Sequence, residues 1–286
     1  SFTAAERLFN DNKKKVAQKA LISYLENYPQ GANHLQVEFL SAELYFQDEN
    51  WSAASEQYAS VLEQPTHEYT EQALVRITQA MVNDEQKSAA LPYWKTLEEL
   101  AQFQENKRYA LFNLMQFYYE QEQFSDAIAY AEKVVVLQSL GQKIKWDAYR
   151  VLARSAVTLQ DVNKAAKAYA VLEQAPDAAL AVEALYFNAQ QKHIAHDYAS
   201  SNRLIEKIAQ DFGNYPEWGA KSLLLMSQNF YQLDDAFQAS FILESIITNF
   251  TQFPEIVKQA QLDLANLKAI ESKNNSSIKV EEENEN

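Results

Sequence analysis

Two histidines one helical turn apart offer the most direct route to chemistry in this chain. His193 and His196 stand at i and i+3, followed at once by Asp197. On a helix that spacing lets two imidazoles and a carboxylate share one face, as a zinc ion requires. The same residues also suit a helix end running into a solvated turn. Two ligands without a clear third favour that plainer reading, so no metal is assigned. Arg150 and Arg154, also one turn apart, can grip a partner's carboxylate or pair with Asp147 or Glu183 of the chain itself.

The rest of the search for catalysis is negative. Glycines at 31, 141, 213 and 219 are too sparse for a phosphate-cradling loop. Cysteine is absent, as is the Gly-x-Ser-x-Gly turn that exposes a serine nucleophile. With 39 acidic residues, close carboxylate pairs arise by chance, and nothing specifies the shared cleft that paired-acid catalysis needs. No catalytic residue and no cofactor are therefore expected, and the chain is read as a non-enzyme. The 25 basic residues leave a net charge of −14, which repels phosphate backbones and anionic lipid surfaces. Apolar runs such as residues 134–137 and 223–226 are far too short to span a bilayer. The chain starts at Ser1 with no signal-peptide pattern, so either a targeting segment was removed or this is an excised portion of a longer protein, and direct entry into a repeat favours the second.

Any site must be carried by the repeating elements. Small residues return at Ala17, Ala54, Ala90, Ala127, Ala165, Ser201 and Ala239, at intervals of 36 to 38 residues. Four residues beyond these anchors stand Leu21, Tyr58, Trp94, Ala131, Tyr169, Ile205 and Leu243. Seven beyond stand Tyr24, Val61, Leu97, Val134, Leu172, Ile208 and Ile246. Offsets of 0, +4 and +7 share one helix face, so each anchor predicts a helix with a buried stripe. Twelve before each anchor lie Ala5, Ala42, Thr78, Met115, Ala153, Ala189 and Ser227, mostly small, on an upstream helix that can approach closely. Nine before, larger residues fill the gap, except at Ala156 and Lys192, where looser packing is expected. Pro29, Pro65, Pro176, Pro216 and Pro254 follow the anchors by 11 to 15 residues and are expected to stop each second helix. Pro92 conflicts with this scheme, being only two residues past an anchor. A late helix start near Ser88, with Pro92 in the first turn, resolves it.

These units resemble the tetratricopeptide repeat (TPR) family. The stretch from Ala5 through Leu8, Ala17, Leu21 and Tyr24 to Pro29 looks like one unit, and Tyr45, Trp51, Ala54 and Tyr58 like the next. The resemblance implies an all-α fold: a right-handed α-α superhelix of about seven helix pairs and a capping helix. The repeat body spans residues 1–271, with units breaking near 34, 70, 107, 145, 181, 219 and 254 and a cap over 255–271. In the cap, Ile256, Ala260, Leu264 and Leu267 make the inner stripe, while Lys258, Gln259, Asp263, Asn266 and Lys268 supply a polar outer face. Residues 272–286, rich in Asn, Ser and Glu, read as a disordered acidic tail. Asp197-Tyr198, 214–218, 234–239 and 243–247 further resemble the C-terminal repeats of bacterial cell-envelope TPR proteins. That likeness implies a periplasmic or envelope-associated setting, with a cytoplasmic one as alternative.

In such a stack the upstream helices line the concave face. Positions 11 before the anchors read Glu43, Gln79, Gln116, Arg154, Gln190 and Gln228. Aromatics flank them at 15 and 8 before, among them Phe39, Phe46, Phe112, Tyr119, Tyr186 and Tyr231. Glutamine can pair with an extended backbone and aromatics supply contact area. An extended peptide or partner protein is therefore expected along Phe112, Gln116, Tyr119, Arg150, Arg154, Tyr186, Gln190 and Tyr231. Packing between repeats, with solvated glutamines, is the competing account. The basic clamp that some TPR proteins use for carboxyl termini is not carried over, since Asn113 lacks the lysine partners. The function expected is a non-catalytic protein-interaction scaffold; the alternative is a recruiting arm of a longer polypeptide.

Overall fold

A computed structural model describes residues 1–138 and 141–284. Among these residues every regular element is helical. The chain forms two compact units, Ser1–Gln160 and Asp161–Asn286.

The first unit contains α1 (Phe2–Asn10), α2 (Lys14–Asn27), α3 (His34–Gln47), α4 (Trp51–Glu63), α5 (Thr70–Asn83), α6 (Leu91–Leu100), α7 (Gln104–Glu120), α8 (Phe124–Val135) and α9 (Gln142–Thr158). Each helix packs on its neighbour in sequence, and alternate helices such as α7 and α9 also touch. The second unit contains α10 (Val162–Leu172), α11 (Ala178–Ile194), α12 (Tyr198–Asp211), α13 (Pro216–Gln232), α14 (Ala236–Asn249) and α15 (Pro254–Asn284). There α11 and α13 touch, and α15 packs on both α14 and α13.

The small-residue positions form the core. All seven anchors are 0% exposed, and the seven residues twelve before them are no more than 3% exposed. A side chain of one carbon at such a point lets two backbones approach, and the larger residues at +4 fill the flanking space. Trp94 and Tyr58 are among the largest fully buried side chains, and both occupy that +4 position. Ala156 is fully buried, 0% exposed. Lys192 instead leaves the interior, and its ammonium lies 3.4 Å from the Asp197 carboxylate.

Pro92 sits in the first turn of α6, where its missing N–H costs nothing. A 3₁₀ turn over Lys87–Ala90 precedes it and still buries the anchor Ala90. Two of the closing prolines do a different job from the one expected. Pro216 and Pro254 are the first residues of α13 and α15, so they start helices rather than stop them. In α15 the stripe Ala260 and Leu267 is buried, as expected for a cap. The helix runs on to Asn284, through residues where composition favours a disordered tail. Residues 285 and 286 lie outside the described residues.

One device recurs in every repeat and has no visible counterpart in the residue types. Asn12, Glu49, Glu85, Glu122, Gln160, His196 and Asp234 all have φ between 55° and 61°. Each stands five residues before its anchor, and none is glycine. In the fourth repeat the Glu122 N–H bonds to the Tyr119 carbonyl (3.1 Å) and the Gln123 N–H to the Tyr118 carbonyl (2.9 Å). The same pair of bonds recurs at Asn12–Lys13, Glu49–Asn50, Glu85–Gln86, His196–Asp197 and Asp234–Asp235. This is a Schellman cap, which satisfies the last carbonyls of the first helix and needs a left-handed residue. The very next residue caps the second helix: Asn50, Asp161, Asp197 and Asp235 each accept a backbone N–H there. Two residues thus end one helix and begin the next. A side chain in the left-handed region costs about 1–2 kcal/mol, part of which glycine's extra unfolded-state freedom cancels. Glu122→Gly should therefore raise unfolding stability by roughly 0.5–1 kcal/mol, read by urea denaturation. A loss of stability would show that the Glu122 side chain makes a compensating contact.

Candidate partner-binding faces

In the first unit, Phe112, Gln116 and Tyr119 lie along one face of α7 at i, i+4 and i+7, and all three are half-buried. Arg150 on α9 meets them. Its guanidinium carbon lies 5.7 Å from the centre of the Tyr119 ring. The same guanidinium donates to Asp147 Oδ1 at 3.3 Å, one of the pairings the sequence offers. Tyr119 also packs edge-on against Phe124 at 6.1 Å. The Gln116 amide makes no side-chain hydrogen bond to another described residue. Arg154 is half-buried on the same helix as Arg150. Asn113 spends its amide on the Tyr109 carbonyl at 2.8 Å.

Farther toward the N-terminus, Glu43 and Phe39 of the expected ladder are core residues. Glu43 is only 8% exposed. Its Oε1 accepts from the Tyr58 hydroxyl (2.6 Å) on α4 and from Arg76 Nε (3.1 Å) on α5. The Arg76 guanidinium in turn covers the Phe46 ring at 4.7 Å. Phe39 is core as well, stacked on Tyr69 at 4.7 Å. Burial, helped by the bond to Glu43 and its charge, pushes the Tyr58 phenol well above its usual range, with Arg76 opposing. The phenol therefore stays a donor. Glu43 is held by three successive helices, and a buried charge keeps its place only when its donors stay. Tyr58→Phe should cost roughly 1–3 kcal/mol in urea unfolding, because the carboxylate loses a donor it cannot replace with water. A change within error would mean that water reaches Glu43.

In the second unit Tyr186 and Gln190 lie one turn apart on α11, both half-buried. Burial raises the Tyr186 phenol above its ordinary value, with Gln190 opposing the shift. The ring leans on Trp218 at 5.4 Å and packs against the core around Leu185 and Ile208. Tyr231, at the end of α13, is the most open of the named side chains, 37% exposed.

The histidine pair does not converge. His193 Nδ1 lies 2.6 Å from Asn229 Oδ1, while His196 Nδ1 lies 2.6 Å from the Tyr198 hydroxyl. His196 has left the helix and occupies the left-handed turn position. Asp197 caps α12, and bonds from Ser200 hold its carboxyl below the usual range. Asn229 is fully buried and explains the His193 tautomer. Its amide nitrogen donates to Ser201 Oγ (2.8 Å) and Asn202 Oδ1 (2.7 Å), so its oxygen must accept, and His193 Nδ1 carries the proton. Asn229 stands ten before its anchor, where repeats two to five carry Leu44, Ala80, Phe117 and Ser155, all buried. A polar amide at a core position was the signal available for it.

Asp263, expected on the solvent side of the cap, is half-buried and lines a cleft of about 280 Å³ with Gln228, Tyr231, Leu267 and Ile270, while Asn266 at the same cleft is exposed, as expected.

No protein-family description matches the sequence, and no curated protein matches it either. Solved structures do. The C-terminal part of a TPR repeat-containing protein from Cytophaga hutchinsonii aligns with a TM-score of 0.54 at 16% identity, covering 90% of this chain and 98% of that one. A tetratricopeptide repeat protein from Parabacteroides merdae aligns at 0.45 and 13% identity, covering 91% and 96%. Anchors buried in pairs, two-residue turns and this structural likeness agree: the chain has the fold of a tetratricopeptide-type helical repeat.

Proposed function

We propose that the chain is a non-catalytic scaffold that holds a partner protein along the first helices of its repeats, with residues 1–271 as the repeat body. The observation that carries this reading is the second face of α7. Its Leu111, Leu114, Met115 and Tyr118 are spent in the core, while Phe112, Gln116 and Tyr119 stay half open beside Arg150. An unbonded amide between two aromatic rings offers a donor and an acceptor to an extended backbone, with apolar area on both sides. Interfaces draw most of their energy from such aromatic and arginine anchors. The acidic balance favours a partner without phosphate backbones, and no described helix is long and apolar enough to cross a membrane. The segments 197–198, 214–218, 234–239 and 243–247 support a bacterial envelope assembly as the setting.

The test is photo-crosslinking from position 116 in native extract, followed by capture with the Phe112→Ala/Gln116→Ala chain. One crosslinked partner whose capture drops at least roughly tenfold, with unchanged helicity, is the expected outcome. Capture at full strength by the double variant would remove α7 as the binding face.

A further inference from the structure

The cleft beside α15 carries chemistry that the α7 face lacks. Asp263 lines it, and its two carboxylate oxygens are treated differently by the fold. Oδ1 accepts from Gln259 Nε2 at 2.8 Å. Oδ2 is closed to solvent and has no hydrogen-bond donor among the described residues. No ion pair to Asp263 occurs among them either, although Lys268 is near in sequence and goes to Glu244 at 3.0 Å. Oδ2 is therefore out of a ligand's reach, and what Asp263 brings to the cleft is a carboxylate with no cationic partner among the described residues.

The rest of the cleft complements a cation with an apolar stem. Leu267 and Ile270 supply an apolar wall, and the Tyr231 ring offers a π face. Gln228 and Asn266 add amide oxygens. His193 also lines the cleft, and since its Nδ1 proton is committed to Asn229, its Nε2 is left as an acceptor. None of the described lining residues is a lysine or arginine. A ligand suited to this set must bring several donors in a plane, a fixed positive charge and an aliphatic stem. That is an arginine side chain; a lysine brings a compact point charge that cannot serve dispersed acceptors at once.

We infer that the cleft formed by α13, α15 and His193 receives an arginine side chain of the partner protein, its guanidinium beside Asp263 and its stem along Leu267 and Ile270. This rests on the scaffold reading above and adds the chemistry of one partner residue.

The test uses the whole chain and three probes: N-acetyl-arginine N-methylamide, its uncharged citrulline isostere, and the lysine counterpart. Amide resonances of Tyr231, Asn266 and Ile270 should shift on titration with the arginine probe and stay still with citrulline at equal concentration. Asp263→Asn should weaken arginine binding roughly tenfold or more, the loss expected for a charge-assisted hydrogen bond. Equal shifts from arginine and citrulline, or no shifts, would overturn the inference on the unaltered chain, whatever the variant's folding. Lysine binding as tightly as arginine would overturn the choice of side chain. Partner capture that fails with Phe112→Ala/Gln116→Ala yet survives Asp263→Asn would leave the scaffold standing and remove the cleft from it.

Discussion

The closeness with which two helices can approach governs this molecule. Each anchor, and the residue twelve before it, is buried to the last few per cent of its surface. Apart from Met115, these are small side chains, which permit that contact without pushing the backbones apart. The two-residue turn makes the approach repeatable. A left-handed residue five before every anchor, with the Schellman bond pair in six of the seven turns, fixes where the second helix begins, so the small residue arrives at the same height on its partner. Large side chains such as Tyr58 and Trp94 then pack beside the close contact rather than through it.

Polar groups within the stack follow from that geometry. When helices are close, a buried carboxylate or amide reaches donors on the next helices. Glu43 is satisfied by α4 and α5, and Asn229 by α11 and α12. Such groups are costly to strand and cheap to hold once the register is set. Glu38 and Asp263 depart from the pattern, since each has one buried oxygen bonded to nothing described.

Much of this architecture was legible in the residues. The anchors, the +4 and +7 stripes and the late start at Pro92 all follow from side-chain size and a 3.6-residue period. Other features were not, for reasons of chemistry. The left-handed turn residues are Asn, Asp, Glu, Gln and His, and without glycine no residue type announces them. Pro216 and Pro254 satisfy both a stop and a start signal, because a proline is tolerated just after one helix and in the first turn of the next. Glu43 shares its register with the open Gln116, and only the position of Tyr58 and Arg76 tells the buried acid from the exposed amide. Asp263 read as solvated because its polarity was assigned to the end of a stack, whereas α15 also lies along α13.

The close-approach account is tested most directly by equilibrium unfolding of the Ala54→Leu chain beside Ser52→Leu, a substitution on the exposed side of the same helix. Leucine at position 54 must separate α4 from its neighbours, so a loss of roughly 1–3 kcal/mol is expected, with little change at position 52. Equal stability of the two chains would contradict it, for then the helices would not be meeting at that residue.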